Sequence, residues 1–124
     1  MNSALLAAAG LILALGLVHS LLGERYILVR LFRRTDLPRL FGSDLFTRRT
    51  LRFAWHLTTV VWFGVGAVLF HLARPERPSV SALGAILAVT SVASALVALV
   101  GSRGRHPAWV VFLAIAALVW LGTR

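Results

Sequence analysis

The chain has 124 residues, 59% of them hydrophobic, and a mean hydropathy of +0.86, whereas ordinary soluble domains carry about 45–50% apolar residues, so a soluble domain is excluded. Its net charge of +9 comes from 13 arginines, with no lysine, against two glutamates and two aspartates. Because those arginines lie between apolar runs of spanning length, they suit membrane orientation and anionic headgroups, and not nucleic acid. The absence of cysteine removes disulfides, thiolate metal sites, iron–sulfur clusters and covalently attached haem.

Residues 3–22 are almost all Ala, Leu, Ile, Val and Gly, about the twenty needed for a helix to cross roughly 30 Å of hydrocarbon. A cleaved signal peptide does not fit, because no basic stretch precedes the run and the run is too long. Gly10, Ala14 and Gly16 would let a neighbouring helix come close. Residues 23–52 form a basic connection in which arginines alternate with Phe, Leu, Ile and Val. Its first half is expected to continue the first helix and lie along the interface, arginines to headgroups and apolar side chains inward. Thr35-Asp36-Leu37-Pro38 would stop it, a short helix or turn would follow over residues 39–41, and Ser43 or Asp44 would cap the next helix.

That helix is expected over residues 44–72, with its membrane part at 53–72. His56, Thr59, Val60 and Phe63 share a face on it, and Gly64 and Ala67 favour close packing there. Two prolines in the loop from Ala73 to Pro78 force a tight reversal, with Ser79 as the exit cap. The third span, 80–100, has small residues at Gly84, Ala88, Ser91, Ala95 and Ala98, a close-packing stripe that makes it the packing centre. Pro107 opens a fourth span, 107–122, which is short for a bilayer. The fold class is therefore all-α: a single domain, residues 1–124, built as a four-transmembrane-helix bundle with a basic interfacial segment between helices 1 and 2.

Ten arginines fall on the side of the 23–52 connection and the 101–105 turn, against Arg74, Arg77 and Arg124 on the other. The positive-inside rule puts the first side in the cytoplasm and both termini in the periplasm. His19, three residues before the first span ends, and His56, three residues after the second begins, then share a depth of roughly 5 Å inside the cytoplasmic edge. His106 starts the fourth span at the same level.

Two readings of these histidines stay open. Imidazoles are amphipathic, and each would serve as an interfacial or helix-capping group. Alternatively His19 and His56 hold haem b iron or a divalent transition metal, with His106 as a third ligand or supporting partner. Glu24, about 140° around the helix from His19, is expected to pair with Arg25, Arg52 or Arg105 unless the helix unwinds at Gly23. No spacing matches HExxH or another metal signature. Ser20 beside His19 makes no catalytic pair, because adjacent residues do not face each other on a helix.

Four short helices in a small chain are similar to the small multidrug resistance exporters, but those depend on a carboxylate within the first helix, and residues 4–22 contain none. His19-Ser20-x-Leu22-Gly23-Glu24, Trp55-His56-Leu57 and Arg105-His106-Pro107-Ala108-Trp109 together resemble small four-helix bacterial inner-membrane proteins to which no activity is attached. The resemblance spans nearly the whole chain and implies the architecture only. The expected function is that of a non-enzymatic accessory or assembly factor packing with membrane partners or with itself, the alternative being a haem or metal protein.

Overall fold

The computed structural model describes residues 1–124 and is all-helical apart from its connections. Helix α1 covers Ser3–Leu31, α2 Leu45–Leu72, α3 Val80–Ser102 and α4 Ala108–Gly122. The first three, of 29, 28 and 23 residues, are long and apolar enough to cross a membrane. Helix α4 has 15 residues, about 22 Å at 1.5 Å per residue, less than the roughly 30 Å of a hydrocarbon core.

Helix ends follow local chemistry. The Asn2 carboxamide oxygen accepts from the N–H groups of Ala4 and Leu5, and Ser79 accepts from Ala82 N–H, so two sets of otherwise orphaned donors are satisfied. Asp44 precedes α2 but makes no capping bond; its carboxylate is taken by Arg48. The first helix does continue past residue 22, as expected, and ends at Leu31, earlier than the Thr35–Pro38 stop. Of the short helix or turn expected at 39–41 the structure has the turn, with Leu40 and Ser43 exchanging two backbone bonds and Phe41 and Gly42 both at positive φ.

The continuation of α1 is not regular. Ser3–Leu22 is α-helical, Gly23–Leu28 is π-helical, and Val29–Leu31 is α-helical again. Regular α-helix would carry the buried face of Gly16 and Gly23 on to Ile27. The wider turn delays that face by one residue: Leu28 is 2% exposed whereas Ile27 is 49% exposed.

Each helix packs only on its neighbours in the chain, α1 on α2, α2 on α3 and α3 on α4, with no contact between α1 and α3 or α4, or between α2 and α4. The four helices thus lie in a row, each against the next, and the first three are long and apolar enough to span a membrane. Contacts are made by narrow faces of small residues, which bring two backbones together without wrapping a third. On α3 the buried residues are Gly84, Ala88, Ser94, Ala95, Ala98 and Ser102, so Ser94 takes the place expected for Ser91. The loop 32–44 and the turn 103–107 lie at one end of the row, the basic end; the 73–79 loop and both termini lie at the other.

Candidate functional site

The densest polar chemistry lies where α1 and α2 meet at the basic end. On α1, Ser20 and Glu24 are four residues apart and face the same way; on α2, Arg52 and His56 have the same spacing, with Thr59 one turn further. Facing across the seam, these side chains form one chain of contacts. Ser20 Oγ lies 2.7 Å from Thr59 Oγ1 and 2.9 Å from His56 Nδ1. His56 Nε2 lies 3.2 Å from Glu24 Oε2, and Arg52 Nη2 lies 3.0 Å from Glu24 Oε1.

Counting protons gives the chain a direction. Thr59 Oγ1–H donates to the Gly16 carbonyl at 3.2 Å and also lies 2.7 Å from Ser20 Oγ, so its one proton is shared between the two. Ser20 then donates to His56 Nδ1, and His56 Nε2–H donates to Glu24, whose carboxylate can only accept. Arg52 supplies the balancing charge. The arrangement satisfies a carboxylate near the end of an apolar helix, where an unpaired one would be costly.

The adjoining turn is held by two aromatic groups. The Trp55 indole N–H donates to the His19 carbonyl at 3.1 Å, and His19 Nε2 meets the Trp55 carbonyl at 3.3 Å. Their rings stack at 4.4 Å and 3°, with Trp62 edge-on to His19 at 5.0 Å. Gly23 makes this possible: a Cβ there would collide with the Trp55 indole.

The three histidines named from sequence are not brought together. His19 is engaged by Trp55, and both nitrogens of the His56 ring are occupied by Ser20 and Glu24. His106 stands apart between Phe46 and Phe53, its Nδ1 accepting the Ala108 N–H at 3.2 Å as the cap of α4. No three His, Asp or Glu side chains are grouped so as to hold a metal ion. Both ring nitrogens of His56 have protein partners, whereas His19 is bonded through Nε2 and His106 through Nδ1. Glu24 has Arg52, one of its three expected partners, and additionally His56; Arg25 and Arg105 form no ion pair with it.

Sequence reasoning placed Thr59 on the His56 face and set Ser20 aside as a partner of His19, but gave neither of them, nor Trp55, a contact across the seam. The matched four-residue spacings, Ser20 with Glu24 and Arg52 with His56, were the available signal, since each pair marks one face of its helix. Ser20–His56–Glu24 runs in the order of nucleophile, base and orienting acid. However, Ser20 sits inside a continuous helix whose N–H groups are spent in helix bonds, so the backbone around it offers no oxyanion donors. The chemistry on view is that of a tether between two helices.

Outside the spans, the loop 32–44 has its own ion pairs. Hydrogen bonding and charge from Arg34 hold the Asp36 carboxyl down at about 2, and Arg48 likewise lowers that of Asp44. Arg48 also donates to the Arg34 carbonyl at 2.8 Å, fastening the loop to α2. Comparison with protein-family models, curated proteins and solved structures finds no match to this chain.

Proposed function

We propose that the protein is a non-enzymatic accessory or assembly factor of a bacterial inner membrane, crossing it four times with both termini in the periplasm and packing with a membrane-embedded partner. The observation that carries this reading is the state of α4. It is about 8 Å short of a bilayer core and packs on α3 alone, while its far face, with Leu118 and Leu121, is 70% and 72% exposed. A short apolar helix thins the bilayer or snorkels, and association with another helix relieves the same mismatch. The tethered α1–α2 pair supports the reading as a rigid frame from which α3 and α4 are presented.

The lack of native cysteine permits a single-cysteine test in cells. Leu118→Cys should crosslink to a neighbouring membrane protein or a second copy, and Arg124→Cys should react with a membrane-impermeant maleimide added from the periplasm. Absence of any crosslink from Leu118→Cys, with the protein monomeric in native nanodiscs, would overturn the partner reading. Labelling of Arg124→Cys only after the inner membrane is opened would overturn the topology.

A further inference from the structure

A groove of about 800 Å³ opens at the basic end between α2 and α3 and reaches the Glu24 tether, since Arg52 and His56 are among its lining residues. Half of its lining is apolar, with Phe53 from α2 and Leu96, Val97 and Val100 from α3; the rest includes Arg48, Arg49, Arg52 and Arg103. The two helices come together at its floor, where a Cβ on Gly101 would collide with Phe53.

The arginines are not equivalent. Arg48 is paired with Asp44 and Arg52 with Glu24. Arg49 and Arg103 have no carboxylate partner, and the charges of Arg103 and Arg105 both act on Arg49. Uncompensated like charges gathered beside an apolar wall repel one another, and an anion between them would relieve that repulsion. Guanidinium groups suit phosphate in particular, because their N–H donors match its oxygens two at a time.

A second observation concerns the backbone. Arg103 ends α3 in the left-handed region, φ 53° and ψ 43°, closing the helix by bonds to Leu99 and Val100. Glycine is the default residue there, because a Cβ crowds the following carbonyl oxygen in that conformation. The chain keeps an arginine where the fold would be better served by glycine, and that arginine lines the groove. Strain of this kind marks a place where the side chain has another use.

We propose that this groove is a binding site for an anionic phospholipid, with the phosphate between Arg49 and Arg103 and an acyl chain along Leu96, Val97 and Val100. The apolar wall distinguishes this ligand from a soluble anion, since inorganic phosphate would leave it bare. The position also fits: the arginines lie where α3 ends and the apolar residues run back along it toward the membrane.

The test uses the full-length protein, delipidated in an uncharged detergent and titrated with phosphatidylglycerol, phosphatidylcholine or inorganic phosphate, with binding read by native mass spectrometry and melting. Phosphatidylglycerol should bind and raise the melting temperature, and Arg49→Gln and Arg103→Gly should each weaken that binding about tenfold, the loss of one charge-assisted contact. Arg103→Gly should at the same time melt higher than the wild type without lipid, because glycine takes the left-handed conformation freely. Arg74→Gln, at the other end, should bind as the wild type does. Wild-type affinity in both groove variants, an equal loss in Arg74→Gln, or equal protection by phosphatidylcholine or inorganic phosphate would overturn the assignment.

Discussion

The seam between α1 and α2 and the seam between α3 and α4 solve the same problem by different means. Between α1 and α2, side chains cross from helix to helix: Trp55 to the His19 carbonyl, Ser20 to His56, and His56 and Arg52 to Glu24. Between α3 and α4 none does. Thr90, Ser91, Ser94 and Ser102 each bond to a carbonyl one turn back on α3, and Thr123 does the same on α4. That seam is closed by small residues, Gly84, Ala88, Ala95 and Ala98 against Ala116. Lipid tails are as apolar as leucine, so helices in a bilayer gain little from burying apolar surface against each other. Directional bonds fix one register, whereas a smooth seam gains only dispersion and tolerates sliding. The first pair should therefore be a fixed unit and the second an adjustable one.

The largest expected effect comes from prising each seam open at its tightest glycine. Gly23→Leu drives a side chain into Trp55, which is itself bonded and stacked, so the clash cannot be relieved locally. Gly84→Leu drives one into Thr123 at the end of α4, a helix that no side-chain bond ties to α3, so α4 can shift to make room. Gly23→Leu should cost about 3 kcal/mol and Gly84→Leu about 1 kcal/mol, measured by reversible unfolding in detergent micelles with tryptophan fluorescence. Equal costs would mean that α4 is as firmly seated as α1 and would break the contrast.

A smaller effect isolates the hydrogen bonds themselves. Ser20→Ala removes the donor to His56 Nδ1 and the acceptor for Thr59, and should cost about 1 kcal/mol, near the upper part of the range for polar contacts between membrane helices. Ser91→Ala removes only a bond within α3 at an exposed position and should change stability by less than about 0.5 kcal/mol. A cost for Ser91→Ala matching that of Ser20→Ala would show that the hydroxyls of the two seams are not used differently.

The two seams also differ in how far the sequence disclosed them. The α3–α4 seam was largely legible, because close packing needs small residues at helical spacing and Gly84, Ala88, Ala95 and Ala98 are visible as a stripe; only Ser94 for Ser91 was misplaced. The α1–α2 seam was half legible. Its members His19, Glu24, Arg52 and His56 stood out as polar groups in apolar surroundings, but sequence alone does not say which partner each will find. Depth along the membrane normal placed His106 with His19 and His56, yet depth is one coordinate of three. His106 packs on Phe46 and Phe53 of α2, whereas His19 meets Trp55 and Trp62 on that helix, so the two imidazoles lie against different faces of α2. The π turn at Gly23–Leu28 had no signature beyond its glycine, against which the Trp55 indole lies, and it leaves Leu28 buried.

The smallest effect sets the same chemistry, a carboxylate with an arginine, outside either seam. Asp36 pairs with Arg34 in the loop 32–44, both side chains more than 60% exposed, and Arg34 holds its carboxyl at about 2 against an ordinary value of 3.8. A depressed carboxylate favours the folded loop at any pH above the unfolded value, and that contribution is lost as pH falls from 3.8 through 2. Between neutral pH and 5 it should therefore be constant. A carboxyl-carbon NMR titration should give Asp36 a midpoint near 2, returning toward 3.8 in Arg34→Gln, while the unfolding midpoint of the protein at neutral pH stays where it was, because an exposed pair adds little to stability. A fall in neutral-pH stability in Arg34→Gln as large as that from Ser20→Ala would show instead that the loop, through the Arg48 bond to the Arg34 carbonyl, clamps the start of α2 and belongs with the fixed half of the molecule.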